Sequence, residues 1–541
     1  MRVFRAQAQA WAADDPDPAT RAEVEQWLRS GDDAELREAF HRRPRFGTSG
    51  IRGPLGAGTS RVNRRLARQL GAGLAAHVGS GATVVVGRDG RHLSAELAGD
   101  VAGVLAGAGV RALTLPGTVP TPVLAFAVRH LGCAAGVMVT ASHNPPGDNG
   151  LKVYAGDGGQ LLPPVDQAVA AAIDAVTRVR DLPLGAATPL GNEVLDAYLD
   201  AAAARVPVGA RAVRTVHTAL HGVAGTPLAL LFERSGLPAP IAVGSQASPD
   251  PDFPTLRSPN PEEREALELA IGEAARQHAD LVLATDPDGD RLAVAVPEGS
   301  RWRRLDGDEI GILLADQALA STRGAGRVVA SSIASSRLLG ALAAEAGADW
   351  VTTPPGFKWI ARAADGRPGA RFVFGYEESL GYAVHDLVRD KDALTAAAAF
   401  AVLVAELRDA GESVVSRLDA IERRHGVHAT LRWSLPLPGA AGVARMQRAI
   451  DHLIESPPRI VGGLGVQAIT RVAADLVVLE LDGDARAVVR PSGTEPRLKA
   501  YVEAVEPVGA SLDRARTGAR DRAERLRTSL AALLTEAASE R

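Results

Sequence analysis

The sequence predicts an α/β protein of three related mixed-sheet α/β domains followed by a smaller C-terminal α+β domain. Three observations predict it. Short apolar runs ending in glycine- or hydroxyl-rich turns alternate with helical stretches of about a dozen residues, the pattern of βαβ units and a mixed or parallel sheet. That round comes three times, as a pattern and without exact repetition of sequence. From about Val427 the alternation stops, and closely spaced strands lead into a long charged amphipathic stretch from about Ser511. The chain has 541 residues, 46% of them hydrophobic, enough for several domains with a large core. The expected domains are 1–205, 206–307, 308–426 and 427–541.

Taken in order, the first forty or so residues read as helices, with Asp17 as a cap, Pro18 as a first helical residue, and Val24, Trp27 and Leu28 at helical spacing. Arg45 to Gly53 reads as a glycine-punctuated loop. A helix follows from about Asn63 to Val78, then a strand Thr83 to Val86 that runs into Gly87-Arg88-Asp89. A helix Ser94 to Ala106, a strand Arg111 to Leu115, a helix Pro122 to Leu131 and a strand Gly136 to Val139 complete the first round. The second has strands Val213 to Thr218, Pro240 to Val243 and Asp280 to Thr285, with a Pro/Asp loop over 246–261 and a helix Glu262 to His278. The third has a helix from Asp308 to Ala320, strands Arg327 to Ser331, Trp350 to Thr353 and Arg371 to Gly375, and a helix from Ser335. The last unit has strands Leu476 to Leu481, Ala485 to Arg490 and Leu498 to Ala504.

Charge excludes several functions. Lys plus Arg number 60 against 64 Asp plus Glu, for a net charge of −4, so nothing asks for nucleic acid or an anionic membrane. A basic site for a phosphorylated ligand has to be local. The single cysteine, Cys133, lies in an apolar stretch and makes neither an intrachain disulfide nor a cysteine-based zinc site. With no apolar signal core and no bilayer-length apolar run, a cytoplasmic protein without a membrane partner is expected.

Three segments carry chemistry. Thr140-Ala141-Ser142-His143-Asn144-Pro145-Pro146 places Ser142 at a strand end, in a loop that two prolines keep from becoming a helix. That suits a nucleophile, although a Ser-His pair in a loop is ordinarily a turn. Asp286-Pro287-Asp288-Gly289-Asp290-Arg291 sets three carboxylates in one tight turn between two apolar strands. Hard divalent cations want such oxygen clusters, and Mg²⁺ is the expected ion because it serves phosphate chemistry. An EF-hand is excluded: the flanks are strands, and its twelfth position is Pro297 instead of glutamate. Arg490 to Arg497, Arg-Pro-Ser-Gly-Thr-Glu-Pro-Arg, brackets a Gly/Ser/Thr turn with arginines, the donors a phosphate monoester needs. Its spacing is not that of a nucleotide-binding P-loop. Glu377-Glu378 in Gly-Tyr-Glu-Glu-Ser, Arg52, Lys152 and Lys391 are weak signals taken singly. A Glu pair is usually solvated, and the run Arg389-Asp390-Lys391-Asp392 reads as a helix start.

Together these motifs resemble the α-D-phosphohexomutase family, which includes phosphoglucomutases and phosphomannomutases. The T-A-S-H-N-P, D-P-D-G-D-R, G-Y-E-E-S and R-P-S-G-T-E-P-R loops stand in the family's order, one per domain, and the resemblance covers nearly the whole chain. It implies four domains around a central cleft and a phosphoserine at Ser142. It further implies Mg²⁺ held by Asp286, Asp288, Asp290 and an oxygen on Ser142. Sugar hydroxyls would meet Glu377 and Ser379, and the non-reacting phosphate would meet Arg490, Ser492, Gly493, Thr494 and Arg497. Arg291 joins the substrate-binding set, while Arg52, His143, Lys152 and Lys391 are the candidates for proton transfer and charge stabilisation. R-F-G-T-S-G-I-R-G, G-Y-E-E-S and V-R-D-K-D look most like the longer bacterial phosphoglucomutase and phosphopentomutase branch. One departure stands out: Pro355 occupies the position where the family's domain-three loop often has threonine, so a hydroxyl contact to the sugar is missing there.

The resemblance thus implies a mutase moving a phosphoryl group between the 1- and 6-positions of a hexose phosphate, glucose first, through a sugar bisphosphate. The partner expected is a phosphosugar, and the chain a monomer or weak homo-oligomer. Phosphomannomutase, phosphopentomutase and sugar-bisphosphate synthase are the alternatives on the same scaffold. A non-catalytic sensor would have lost the serine or an acidic-loop residue, and a Ser-His hydrolase would want a G-x-S-x-G elbow.

Overall fold

The computed structural model describes residues 1–43, 50–437, 442–473, 475–492 and 497–539. Helices Arg2–Asp14, Pro18–Ser30 and Asp33–Phe40 fold against each other through Trp11, Val24, Leu36 and Phe40. The second begins as its sequence predicts: the Asp17 side chain accepts from the Ala19 N–H, and Pro18 takes the first helical position.

Four sheets follow. The first has the strand order Ile51–Pro54, Asp148–Ala155, Ala135–Val139, Thr83–Arg88, Arg111–Thr114, Thr188–Pro189. Its last four strands run parallel, and Asp148–Ala155 is antiparallel to both its neighbours. The second sheet runs Arg301–Arg304, Leu292–Glu298, Leu281–Thr285, Thr215–Thr218, Ile241–Ala242, and the third Asp349–Thr353, Arg327–Ser332, Arg371–Glu377, Gly381–Ala383. Each again pairs a parallel set with an antiparallel strand, at Leu292–Glu298 and at Gly381–Ala383.

The same topological position carries chemistry in all three. The last parallel strand, before the antiparallel one, is Ala135–Val139, Leu281–Thr285 or Arg371–Glu377. The loop leaving its carboxyl end holds Ser142, the Asp286–Asp290 cluster, or Glu378 and Ser379. Ligand sites of α/β sheets form outside strand carboxyl ends, where no helix of the same crossover fills the space. The fourth sheet is antiparallel throughout, ordered Val427–Pro436, Arg497–Glu506, Ala485–Pro491, Leu476–Leu481, Leu464–Ala473, Ile460–Val461. Helices Gly442–Glu455 and Leu512–Ser539 pack on it through Ile450, Leu453, Leu526 and Leu530.

Helix Ala393–Asp409 is apolar on all sides and runs through the main core, as such a helix must. Asp392 caps it, accepting from the Leu394 and Thr395 N–H groups and from Tyr198 Oη at 2.8–2.9 Å. The cap fixes Asp390 and Lys391 in place.

Several elements differ from expectation. Strand Asp148–Ala155 is not signalled by alternation, because residues 149–154 are buried on both faces. The end of the expected Arg45–Gly53 loop is strand, Ile51–Pro54, and 44–49 lie outside the described residues. The helix expected from Glu262 begins at Glu268, after a 3-10 turn Arg264–Leu267, because Glu263 is still extended. The helix expected from Ser335 begins at Leu338, and the N–H groups just before it bond outward, Ser336 to Asp308 Oδ1 at 2.8 Å and Arg337 to Glu503 Oε1 at 2.9 Å.

Candidate active site

Ser142 is buried, 1% exposed, and has φ +54°. This left-handed conformation costs an L residue about 1–2 kcal/mol, so the loop must be held by its surroundings. Its N–H donates to Thr140 Oγ1 at 2.8 Å, and its Oγ donates to Asp286 Oδ2 at 2.7 Å. His143 Nδ1 lies 3.2 Å from the same Oγ. Burial, then the charges of Arg291 and Arg52, push the His143 imidazole well below its ordinary pKa, so the ring is neutral at pH 7.

The three aspartates converge as their spacing predicts: one carboxylate oxygen of each lies within 4.8 Å of the others. All three are buried. Gly289 makes the turn at φ +69°, and Asp286 Oδ1 accepts the Asp290 and Arg291 N–H groups at 3.0 and 2.9 Å. Lys152 Nζ reaches across from the first sheet to Asp288 Oδ2 and Asp290 Oδ2, both at 2.6 Å. Lys391 Nζ lies 3.2 Å from Asp290 Oδ2. Burial raises the pKa of Asp290, but Lys152 and Lys391 outweigh it and hold that carboxylate below its usual range. Asp286 goes the other way: burial, then Asp288 and Asp290, raise it well above that range.

Asp288 Oδ1 and Asp290 Oδ1 are buried and have no hydrogen-bond partner. Buried acceptors are rarely left so. Two orphaned carboxylate oxygens beside Asp286 and the Ser142 hydroxyl are an all-oxygen donor set, which fits a hard divalent cation. The triad can therefore hold a metal.

The third sheet closes the group. Glu377 Oε1 accepts the Gly356 N–H at 2.7 Å, which ties it to the Gly356-Phe357-Lys358-Trp359 loop, and burial raises its pKa. Lys391 lies over the Phe357 ring, 5.8 Å from its centroid. Arg291 bridges Gly381 through the backbone and has Nη1 3.7 Å from Glu262 Oε1, with Nε unpartnered. Arg52 pairs with Gly150 on the first sheet, and its buried Nε also lacks a partner. Ser379 is half-buried on the turn before Gly381–Ala383. A cavity of about 530 Å³ lies between the second, third and fourth sheets instead of over the serine; Glu262, Asp308, Glu378, Arg432 and Tyr501 help line it.

The metal loop rests on the second unit. Val223 N–H donates to Pro287 O at 2.9 Å, and a Cβ on Gly222 would stand 2.4 Å from Pro287 Cα and 2.6 Å from Pro287 O. Backbone cannot yield as a side-chain tip can. Gly222→Ala is expected to lower stability by about 1–3 kcal/mol and to weaken the thermal response to Mg²⁺. Unfolding followed with and without Mg²⁺ checks this; an unchanged Tm and metal response would show that the loop tolerates the shift.

Comparison with known proteins bears on this geometry. The chain matches the phosphoglucomutase/phosphomannomutase alpha/beta/alpha domains I, II and III over residues 43–180, 196–299 and 306–423, and the C-terminal domain over 462–511. It is 38% identical over 459 residues to a probable phosphomannomutase of Haemophilus influenzae, covering 82% of this chain and 93% of that one. The chain belongs to the phosphoglucomutase/phosphomannomutase family. Phosphoglucomutase of Staphylococcus aureus is 33% identical over 515 residues, with 88% and 93% covered. The crystal structure of a putative phosphomannomutase from Thermus thermophilus superposes with a TM-score of 0.69 at 27% identity, covering 88% of this chain and 98% of that one. As a phosphohexomutase the protein is an intramolecular phosphotransferase, an isomerase. Among the described residues no helix is long and apolar enough to cross a membrane.

In this phosphohexomutase the fourth unit contributes its turn differently from the other three. Arg490 is half-buried, stacks on Tyr501 with 5.8 Å to the ring centroid, and has an unpartnered Nε. Ser492 N–H donates to Arg497 O at 2.7 Å across the hairpin. Gly493 and Thr494 lie outside the described residues. Two site residues escape a reading by motif. Thr121 donates its hydroxyl to Asp288 Oδ2 at 2.6 Å and its N–H to Asp288 O at 2.8 Å. Asp390 accepts Tyr154 Oη and Gln160 Nε2, each at 2.8 Å, beside Lys391. The Thr121-Pro122 helix start was the available signal for the first; nothing local marks the second.

Proposed function

We propose that this phosphohexomutase interconverts hexose 1- and 6-phosphates, glucose being its preferred sugar, through a phosphoserine at Ser142 and a sugar-bisphosphate intermediate. The observation that carries the proposal is the Ser142 hydroxyl held 2.7 Å from a buried carboxylate of a three-aspartate cluster, beside two buried lysines. The domain limits proposed with it are 1–205, 206–307, 308–426 and 427–541.

In the forward half-reaction a sugar hydroxyl oxygen forms a bond to the phosphorus on Ser142. The P–Oγ bond breaks and its electron pair stays on Ser142 Oγ. The proton leaving the sugar hydroxyl is assigned to the neutral His143 ring, and the ring, with Nδ1 3.2 Å from Ser142 Oγ, gives a proton to that oxygen as the P–Oγ bond breaks. The bisphosphate then turns over, and its other phosphate returns to Ser142 by the reverse transfer. Such transfer depends on positioning and charge neutralisation. Lys152, Lys391, Arg52 and Arg291 supply positive charge from the protein. Asp286, Asp288 and Asp290, with an oxygen on Ser142, would hold Mg²⁺, which when bound neutralises charge on the phosphoryl oxygens. Glu377 and Ser379 would receive the sugar hydroxyls. Arg490, Ser492, Gly493, Thr494 and Arg497 would hold the phosphate that is not transferred.

Two observations bear on the sugar. The relatives' names divide among phosphomannomutase, phosphoglucomutase, phosphoribomutase and phosphopentomutase, and Pro355 brings no hydroxyl to the domain-three loop. Coupled assays with glucose, mannose, glucosamine and pentose 1-phosphates, each with catalytic sugar bisphosphate, test the choice. The highest kcat/KM is expected for glucose; a higher value for mannose or a pentose would replace it.

Arg497→Ala is expected to raise KM more than it lowers kcat, because a charge-assisted bond to the non-reacting phosphate serves ground and transition states alike. Losing it costs about 1.5–3 kcal/mol, roughly ten- to a hundredfold in affinity. Steady-state kinetics at saturating bisphosphate separate the two constants. An unchanged KM with a collapsed kcat would place Arg497 at the reacting phosphate.

A further inference from the structure

We infer that Arg91 is the positioning residue that holds the Ser142 loop in its reactive conformation, an inference that rests on the phosphoserine reading above. Arg91 lies on the loop after Thr83–Arg88, the strand next to Ala135–Val139, and is 4% exposed. Its guanidinium donates to four carbonyls of the serine loop. Nη2 reaches Ser142 O at 2.6 Å and Asn144 O at 2.5 Å; Nη1 reaches Pro145 O at 2.9 Å and Asp148 O at 3.1 Å.

The loop needs such a partner for two reasons. Pro145 and Pro146 bring no N–H groups, so the loop has few internal donors for its own carbonyls, and buried carbonyls must be satisfied. Ser142 also sits at φ +54°, which an unrestrained serine would leave. One planar cation with several fixed donors answers both, and a lysine does not reproduce that fork.

Arg91 is itself held from both sides. Asp89 Oδ1 accepts the Arg91 N–H at 3.0 Å and Ser94 Oγ at 2.6 Å, while Asp89 N–H donates to Val139 O at 3.0 Å. On the other side the guanidinium lies over the Phe253 ring, 4.9 Å from its centroid. Phe253 belongs to the Pro/Asp loop of the second unit, where His92 also bonds Asp252 at 2.7 Å. The serine loop is thus fixed relative to the unit that carries the aspartates. Because the Nη1 and Nη2 bonds go to carbonyls of the serine loop and Nε faces Asp89 Oδ2 at 3.5 Å, Arg91 acts through Ser142 and does not touch substrate.

Arg91→Lys and Phe253→Leu test this on the full chain, beside wild type and Ser142→Ala. For Arg91→Lys, kcat should fall at least tenfold while KM for glucose 1-phosphate stays within about twofold. The ³¹P resonance of the phosphoserine should shift and broaden. Phe253→Leu should give the same split with a smaller fall. A folded Arg91→Lys enzyme with wild-type kcat, or one whose KM rises in step with the fall in kcat, overturns the inference. If both variants fail to fold, Arg91 is structural and the inference fails. Full activity in Ser142→Ala would instead overturn the phosphoserine reading, and an inactive Ser142→Ala beside a wild-type Arg91→Lys would overturn only the role of Arg91.

Discussion

Ser142→Ala is expected to lower mutase turnover by about three orders of magnitude or more, the scale on which removing a covalent nucleophile acts. His143 is the neighbouring nitrogen nucleophile, but its Nδ1 is taken up by the Ser142 oxygen at 3.2 Å. The variant should fold. Alanine loses the bond to Asp286, yet Asp286 Oδ1 still accepts the Asp290 and Arg291 N–H groups, so the residual cost is that of one buried hydroxyl partner. The strain at φ +54° remains, since alanine tolerates that conformation no better than serine. Intact-mass spectrometry after incubation with glucose 1,6-bisphosphate should find one phosphate on wild type and none on the variant. A phosphorylated, active variant would move the nucleophile elsewhere.

The fold and the reactive centre were legible to different degrees, and the reason is locality. Ser142 follows a short apolar strand and the three aspartates lie between two, so in each case the apolar flank and the turn residues are contiguous in sequence. The triplicated pattern could be counted because each round repeats that arrangement at the carboxyl end of a parallel strand. What holds those turns comes from elsewhere in the chain. Lys152 meets Asp288 and Asp290 across more than a hundred residues of sequence separation, as does Thr121 with Asp288. Asp390 is an unremarkable member of a charge run until helix Ala393–Asp409 fixes it beside Lys391. Strand Asp148–Ala155 was invisible for a related reason, since burial on both faces erases the alternation that marks a half-exposed strand. At the start of helix Leu338–Ala346 the orphan N–H groups of Ser336 and Arg337 are likewise met from other segments, by Asp308 and Glu503.

Asp288→Asn should remove the response to metal while leaving the metal-free protein as stable as wild type or more so. The argument is one of charge. Three carboxylates share a buried turn, and Lys152, Lys391 and Arg291 offset them only in part. Removing one charge relieves the repulsion that raises Asp286. A carboxyl whose folded pKa is raised contributes its stability below its unfolded pKa and loses it as pH climbs through the folded value. At neutral pH the Asp286 carboxyl is therefore on its costly side without a cation, and less so in the variant; this gain is set against the loss of the Asp288 charge, which, against burial and Asp290, Lys152 and Thr121 hold below the usual carboxylate range. Asparagine keeps an oxygen that can still accept from Thr121 and Lys152, so the packing survives. The cost falls on the cation, which loses a charged ligand. Wild type should gain about 2.7 kcal/mol of stability at Mg²⁺ a hundredfold above its dissociation constant, and Asp288→Asn little at the same concentration. Turnover in limiting Mg²⁺ should fall at least about a hundredfold, a loss of roughly 2.7 kcal/mol in the transition state. Thermal unfolding across a Mg²⁺ titration and assays after exhaustive chelation read both effects. A wild-type enzyme whose Tm ignores Mg²⁺ and whose rate survives chelation would make the aspartate turn a structural element, with Lys152 and Lys391 as its counter-charges.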